Sequence, residues 1–166
     1  ADPELTCRLP GMADRSPVRL VADARLRLPV SARLVEGART VPTWVLTAAG
    51  ADPAKRVALQ AAGVAVIDVA AGTDGGLEPR AMAGALASRG LTRVMIEGGG
   101  TLAAAFLRAD LIDRLCWFTA PRIIGADGLP AVGPLGISRI SAVRGFDAES
   151  VGRILNDVQQ VYRRAR

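Results

Sequence analysis

Short apolar stretches recur along the chain, separated by segments rich in turn-forming residues. Stretches 18–23, 43–47 and 64–69 are each predicted to form a strand, and 43–47 is especially rich in β-branched and aromatic residues. Segment 27–42, which contains proline and glycine, is predicted to be turn-rich. Residues 79–89 and the run from Thr101 carry apolar residues at the three- and four-residue spacing of a helix, so strands and helices are expected to alternate.

Two helices are predicted from their end signals. Asp52 is a suitable N-cap, Pro53 suits the first helical position, and Gly63 is expected to end that helix. Pro79 is expected to begin a second helix that ends before Gly90. Strands separated by helices predict a parallel sheet that is covered on both faces.

The stretch 94–102 combines a strand, a turn and a helix start. Residues 94–97 predict a buried strand that ends on Glu97, three glycines form the turn, and a helix is expected from Thr101. A glycine turn lets the backbone approach a ligand, and the free N–H groups of a helix start attract anions. Glu97 therefore either hydrogen-bonds a polar substrate or caps the helix.

The C-terminal part of the chain predicts a different arrangement. An apolar strand is expected over 115–121, a long loop over 125–136, and a last strand over 157–163, with antiparallel, hairpin-like pairing. The predicted fold class is therefore α/β, a three-layer α/β/α arrangement with a mostly parallel sheet and antiparallel C-terminal strands. Residues 1–166 are expected to form a single domain.

Several apolar and polar positions have structural interpretations. Trp44, Trp117 and Phe118 are predicted to belong to the core. Cys116 lies in an apolar strand and is predicted to be a buried, inert thiol. Asp23 ends the first strand and is expected to cap a turn rather than to touch a ligand.

Composition narrows the function classes. No apolar run has the length of a membrane span, so no membrane association is predicted. Cys7 and Cys116 cannot build a disulfide framework, which favours a cytoplasmic protein with free thiols. The chain has no histidine, which excludes Ser-His triads, histidine zinc sites and histidine acid–base catalysis. No metal site is predicted.

Charge and aromatic content favour a small anionic ligand. The net charge is +5, and all basic residues except Lys55 are arginines, which suit the capture of phosphate and carboxylate groups. The basic residues are scattered and aromatic residues make up only 4% of the chain, so nucleic acid is not expected as a partner. Any catalysis must rest on carboxylates, backbone donors, arginine and a bound cofactor.

Three segments, residues 1–8, 19–29 and 96–125, together resemble the reductase domain of the bacterial riboflavin biosynthesis protein. Residues 1–8, Ala-Asp-Pro-Glu-Leu-Thr-Cys-Arg, are similar to the family's Asp-Asp-Pro-x-Leu-Thr-x-Arg. Residues 19–29 and 96–125 match in order and spacing, the latter through Ile-Glu-Gly-Gly and Ala-Pro-Arg-Ile-Ile-Gly. The resemblance extends over essentially the whole chain.

The resemblance implies a fold and an activity. The fold would be similar to dihydrofolate reductase, and NADPH would reduce 5-amino-6-(5-phosphoribosylamino)uracil, a small phosphorylated pyrimidine, to its ribitylamino product. A homodimer built on strand 115–121 is also implied. The family's first strand and its Ser-Leu-Asp-Gly loop have no counterpart here, so 1–166 is expected to be a reductase domain without them.

Two other functions stay open beside this one. A related dihydrofolate-reductase-like enzyme could use NADPH to reduce another pyrimidine, a pterin or a small carbonyl compound. A catalytically idle member could still serve as a nucleotide-binding module.

The resemblance also implies which residues face the substrate. Leu5 and Arg8 are expected to contact it, with Arg8 holding its phosphate. Glu97 is expected to be the catalytic residue, positioning the substrate by hydrogen bonding, directly or through water. The plain alternatives are a surface ion pair for Arg8 and a helix cap for Glu97.

NADPH is expected at the helix start, where backbone N–H groups would bind its phosphates. Asp2 lies beside the family's cofactor-contacting aspartate, which is Ala1 here, and Ala24 replaces a serine of the family. Thr47 is a candidate for hydrogen bonding the adenosine 2′-phosphate, or is a plain strand residue. The predicted cofactor-binding residues are Asp2, Ala24, Thr47, Gly98, Gly99, Gly100, Thr101, Leu102, Ala103, Ala104 and Ala105.

Overall fold

The computed structural model describes residues 2–143 and 145–165, apart from the side chain of Ala13. The chain divides into two compact units, Ala1–Thr92 and Arg93–Arg166, each with its own sheet. The organisation of 1–166 as one domain stays a prediction.

The first unit contains a parallel sheet in the order β1-β2-β3. Its elements are β1 (Arg19–Ala22), α1 (Arg33–Glu36), β2 (Thr43–Ala48), α2 (Pro53–Ala61), β3 (Ala65–Val69) and α3 (Pro79–Ala87), with a 3₁₀ turn at Ala13–Arg15. The three predicted strands and two predicted helices are confirmed to within a residue or two. The single turn α1 lies inside the segment that is predicted to be turn-rich.

The core of the first unit lies against its central strand β2. Val45 packs in one buried cluster with Leu59 of α2. Successive strand residues point to opposite faces, so Leu46 and its partner Ile67 lie on the other face, where both are buried. Helix α3 packs against β3 and buries Met82. Both faces of β2 are therefore covered, as expected for a parallel sheet.

The two longer helices of this unit begin at a carboxylate followed by a proline. Asp52 Oδ1 accepts hydrogen bonds from the N–H groups of Ala54 at 2.9 Å and Lys55 at 3.4 Å. Glu78 serves α3 in the same way, accepting from the Arg80 N–H at 3.0 Å. These bonds satisfy N–H groups that have no acceptor inside the first helical turn.

The second unit contains one long helix and an antiparallel sheet in the order β4-β6-β5. Its elements are α4 (Gly100–Arg108), β4 (Arg114–Thr119), β5 (Phe146–Ile154) and β6 (Asp157–Arg164), with 3₁₀ turns at Gly125–Asp127 and Ile140–Ala142. The antiparallel C-terminal strands are confirmed. The apolar residues of strand β5 do not alternate regularly with polar ones, so the sequence pattern does not predict it.

The predicted strand 94–97 is wrong. Residues 91–97 have no regular secondary structure, and Val94 and Met95 are 45% and 80% exposed. An apolar run becomes a strand only when another strand takes up its backbone hydrogen bonds, and residues 94–97 enter no strand pairing among the described residues. The following helix is confirmed and begins at Gly100, one residue before the expected start.

Two of the predicted core positions are also wrong. Phe118 is 56% exposed, and Cys116 is exposed with its Sγ accepting a hydrogen bond from Gln159 Nε2 at 3.3 Å. Trp44 and Trp117 are half-buried. Burial in the first part of β4 alternates between exposed and half-buried residues, because an antiparallel strand can leave one face open.

Candidate functional site

Glu97 lies just before helix α4 with its side chain exposed. Among the described residues its carboxylate has no hydrogen-bond or ion-pair partner. The N-cap of α4 is Gly99, and no side chain caps the helix. The cap alternative for Glu97 is therefore not formed, and the carboxylate is free to accept hydrogen bonds from a ligand.

The first turn of α4 offers unused N–H donors. The N–H groups of Leu102 and Ala103 both donate to the Gly99 carbonyl, at 3.1 and 3.2 Å. Within the described chain, the N–H groups of residues 99–101 have no acceptor. Such donors lie at the positive end of the helix dipole and suit a phosphate. Only the beginning of the predicted run 98–105 can therefore bind an anion through its N–H groups.

The three glycines of the turn have different surroundings. A Cβ on Gly99 would meet nothing within 4 Å, whereas a Cβ on Gly98 would lie 3.1 Å from Leu102 Cδ2. A Cβ on Gly100 would lie 2.6 Å from the carbonyl oxygen of Pro130. Gly99 thus borders open space from which a ligand can reach the backbone, and Gly100 borders a loop of the same unit.

The side chains farther along the predicted cofactor run belong mainly to helix packing. Ala104 is buried, and Leu102, Ala103 and Ala105 are half-buried. Thr101 is exposed beside the free N–H groups. A ligand at the helix start would therefore meet backbone atoms and the Thr101 side chain first.

In the first unit, Leu5 and Arg8 lie on the N-terminal segment. Leu5 is half-buried and has a φ of 48°, a left-handed conformation that is uncommon for leucine. Arg8 is exposed and makes no hydrogen bond or ion pair with any residue that the structure describes. The ion-pair alternative for Arg8 is therefore not formed, which leaves its guanidinium available to an anion.

Asp2 contacts the backbone of α1. Its two carboxylate oxygens accept hydrogen bonds from the Arg33 N–H, at 3.2 and 3.3 Å. The side chain is exposed, so a further partner can reach it. A contact between Asp2 and a cofactor stays a prediction.

Ala24 and Thr47 lie at the carboxyl ends of two adjacent parallel strands. The Ala48 N–H donates to the Ala24 carbonyl at 3.3 Å and joins these strand ends. Ligands of open α/β sheets commonly bind at this edge. Thr47 is 0% exposed, and its hydroxyl has no hydrogen-bond partner in the described chain. A contact between Thr47 and a cofactor stays a prediction, and it requires this strand end to open.

Asp23 builds the turn after β1, as predicted. Its side chain is 7% exposed, and its carboxylate accepts hydrogen bonds from the N–H groups of Leu28 at 2.7 Å and Arg25 at 3.3 Å. Leu26, inside the turn, is fully buried. An open cleft of about 340 Å³ beside this turn is lined by Val21, Ala22, Asp23, Arg27 and Leu28.

The sequence interpretation misses Arg19, the first residue of β1. Its side chain is 3% exposed, and its guanidinium donates to the carbonyls of Glu4 at 3.2 Å, Leu34 at 3.0 Å and Val41 at 2.9 Å. Burial lowers the pKa of this guanidinium, and the Glu4 charge partly opposes the effect. The sequence signal that could have indicated its burial is the position of Arg19 two residues before Val21. Residues two apart in a strand point to the same face.

No helix within residues 2–143 and 145–165 combines the length and apolar composition needed to cross a bilayer. The same part of the chain brings together no group of three or more Cys, Asp or Glu side chains that could hold a metal ion.

The chain is similar to proteins of riboflavin biosynthesis. It is 38% identical over 132 residues to the riboflavin biosynthesis protein RibD of Bacillus amyloliquefaciens. The matched region covers 79% of this chain and 34% of that protein. It is 27% identical over 139 residues to the 2,5-diamino-6-ribosylamino-4(3H)-pyrimidinone 5′-phosphate reductase of Archaeoglobus fulgidus, covering 79% of this chain and 61% of that protein. The chain thus spans only part of the length of these relatives.

A solved structure shares the fold. RibD of Acinetobacter baumannii, form 2, matches with a TM-score of 0.79 at 23% identity, over 99% of this chain and 43% of that chain. This likeness confirms the dihydrofolate-reductase-like α/β fold. The sequence profile of the RibD C-terminal domain matches residues 1–159. The chain therefore belongs to the RibD C-terminal domain family.

Proposed function

We propose that this chain catalyses the NADPH-dependent reduction of 5-amino-6-(5-phosphoribosylamino)uracil to 5-amino-6-(5-phosphoribitylamino)uracil. The observation that carries the proposal is the unpaired Glu97 carboxylate beside the free N–H groups at the start of α4. A carboxylate accepts hydrogen bonds from hydroxyl and N–H groups, whereas the helix start binds phosphate, so one turn can serve two ligands. The name of the Archaeoglobus fulgidus relative, a reductase of a ribosylaminopyrimidinone phosphate, supports this substrate class.

Arg8 is assigned to the substrate phosphate. Its exposed guanidinium is free of protein partners in the described chain, and the planar fork of an arginine matches two phosphate oxygens. Leu5 lies three residues earlier, is half-buried, and is assigned to the same ligand. A phosphorylated pyrimidine would satisfy both a cationic and an apolar contact.

NADPH is assigned to the start of α4. Gly99 borders open space, and the N–H groups of residues 99–101 would hold its phosphates. Asp2, Ala24 and Thr47 are the further candidates for contacting it. When bound, NADPH supplies the hydride that reduces the sugar carbon.

We assign Glu97 the role of positioning the substrate, not that of a strong general base. Its carboxylate can accept a hydrogen bond from a sugar hydroxyl or a pyrimidine N–H, directly or through water. Holding two ligands in reactive orientation is the main contribution that a protein makes to hydride transfer.

The test uses the full natural protein, NADPH and the pyrimidine phosphate, and follows the loss of nicotinamide absorbance. We expect substrate-dependent oxidation of NADPH, slower oxidation of NADH, and formation of the ribitylamino product. Oxidation only with another pyrimidine, a pterin or a small carbonyl compound would indicate the related reductases. Thermal stabilisation by NADPH without any oxidation would indicate a nucleotide-binding module.

A homodimer in the cytoplasm is also proposed. Phe118 on β4 is 56% exposed, and a second copy of the chain would cover such an apolar side chain. The cytoplasmic location is supported by the free thiols of Cys7 and Cys116, which suit a reducing compartment.

A further inference from the structure

The buried guanidinium of Arg19 is unusual because, in the described chain, no carboxylate accepts a hydrogen bond from it. It donates only to backbone carbonyls, those of Glu4, Leu34 and Val41. Burying a charge is costly unless hydrogen bonds compensate for the lost water. Two of these carbonyls belong to α1 and the connection to β2, and the third, that of Glu4, belongs to the N-terminal segment.

The N-terminal segment is held at several points around Leu5. On one side, Arg19 Nη1 binds the Glu4 carbonyl. On the other side, the Cys7 N–H donates to Ser16 Oγ at 3.1 Å. Leu5 lies between these two contacts in the left-handed conformation, with a φ of 48°. Strained backbone of this kind persists only where the surroundings hold it, and it is concentrated at functional positions.

We propose that Arg19 is a positioning residue for the substrate, because it holds the Glu4 carbonyl and thereby keeps Leu5 and Arg8 in their binding conformation. The inference rests on the proposed function, in which Leu5 and Arg8 contact the pyrimidine phosphate. Arg19 itself is buried and does not touch the ligand.

An arginine suits this task better than a lysine. Its planar fork carries donors on separate nitrogens and reaches three carbonyls at once, whereas the three N–H donors of an ammonium group share one nitrogen. Gly37 leaves room for the fork, because a Cβ there would lie 3.2 Å from Nη1 and 3.3 Å from Nη2 of Arg19. Gly37→Ala would therefore displace the guanidinium while leaving Arg19 and the residues of the N-terminal segment unchanged.

The experiment compares Arg19→Lys and Gly37→Ala with the unchanged full natural protein. Gly84→Ala is the matched control, since a Cβ at Gly84 would meet nothing within 4 Å. Steady-state kinetics give separate KM values for the pyrimidine phosphate and for NADPH, thermal melting reports folding, and hydrogen exchange reports the amides of residues 5–8. We expect both test variants to raise the KM for the pyrimidine phosphate about tenfold, as for one lost hydrogen bond from a charged group. The KM for NADPH should stay unchanged, and exchange at residues 5–8 should accelerate.

The outcomes are distinguishable. Folded variants with an unchanged KM for the pyrimidine phosphate would overturn the positioning role. Equal rises in both KM values together with a lower melting temperature would also overturn it, because Arg19 would then serve only stability. If the unchanged protein fails to oxidise NADPH with this substrate, the proposed function falls first, and the substrate role of Arg19 falls with it.

Discussion

The backbone N–H of Gly133 donates to the carbonyl of Gly100 at 2.9 Å, and this contact leaves no room for a side chain at position 100. A Cβ on Gly100 would lie 3.0 Å from the Gly133 nitrogen and 2.6 Å from the Pro130 carbonyl oxygen. The loop is also held at Pro134, whose carbonyl accepts from Arg108 Nη1 at 2.8 Å. The glycine at the first position of α4 is therefore explained by packing within its own unit.

Gly100→Ala is expected to destabilise the protein because the added methyl group collides with backbone atoms that cannot rotate away. The free energy of unfolding should fall by about 1–3 kcal/mol, the usual cost of overpacking. Urea denaturation measures it. Gly84→Ala in α3 is the control and should be neutral or stabilising by about 0.5–1 kcal/mol. Equal stability of Gly100→Ala and the unchanged protein would contradict the packing explanation.

Glu97→Gln should lower kcat/KM for the pyrimidine phosphate without affecting folding. The variant keeps the shape of the side chain but loses the charge that strengthens its hydrogen bonds. Weakening a hydrogen bond to a charged group should lower kcat/KM by about tenfold to a hundredfold. Glu36→Gln, at another exposed glutamate, is the control and should leave the kinetics unchanged. Unaltered kinetics in Glu97→Gln would remove this residue from the site.

Thr47→Val should raise stability, because it removes a buried hydroxyl that has no partner among the described residues. The expected gain is about 1 kcal/mol in the free energy of unfolding. Thr43→Val is the matched variant on the same face of β2. The hydroxyl of Thr43 donates to the Leu34 carbonyl at 3.1 Å, so its loss should destabilise by about 1 kcal/mol.

The same Thr47→Val variant tests the predicted contact with NADPH. The ratio of kcat/KM for NADPH to that for NADH measures recognition of the 2′-phosphate. An unchanged ratio would remove Thr47 from the cofactor site. A ratio shifted towards NADH would assign it there and would show that the strand end opens when the cofactor binds.

Asp23→Asn should destabilise the turn after β1. An amide offers only one oxygen, whereas the Asp23 carboxylate accepts from both Leu28 and Arg25. A buried N–H group left without an acceptor costs about 1–3 kcal/mol. Both hydrogen bonds are only partly buried, so the loss measured by urea denaturation should lie at the lower end, about 1 kcal/mol. Asp68→Asn removes the exposed ion pair with Arg56 and should cost at most about 1 kcal/mol. A larger loss for Asp68→Asn than for Asp23→Asn would refute the assignment.

Phe118→Glu should weaken self-association if the exposed part of β4 forms the dimer. A charge in an apolar contact is unfavourable because it must be desolvated. Light scattering should give the mass of a dimer for the unchanged protein and a monomer for the variant at micromolar concentration. Val57→Glu, at an exposed valine of α2, is the control for a general effect of added charge. A monomeric mass for the unchanged protein would exclude the proposed homodimer.

The elements of the first unit are predictable because their signals are local. Asp52 and Pro53 start α2 through contacts within one helical turn, and the β-branched run 43–47 forms a central strand covered on both faces. Local patterns fail where a partner is required. Residues 94–97 have the composition of a strand but enter no strand pairing within the described residues. Strand β5 forms without a regular apolar alternation because β6 pairs with it.

The sequence by itself determined the α/β class, the helix ends and the position of Glu97 beside a glycine turn, because capping, alternation and glycine turns act over a few residues. Only the tertiary structure decided that Glu97 and Arg8 have no protein partner in the described chain and that Thr47 is buried. It also decided that Gly100 packs closely against a loop backbone. It also revealed Arg19, whose three acceptors lie 15 to 22 residues away along the chain. Burial and hydrogen bonding between distant segments depend on how those segments pack, which no local pattern specifies.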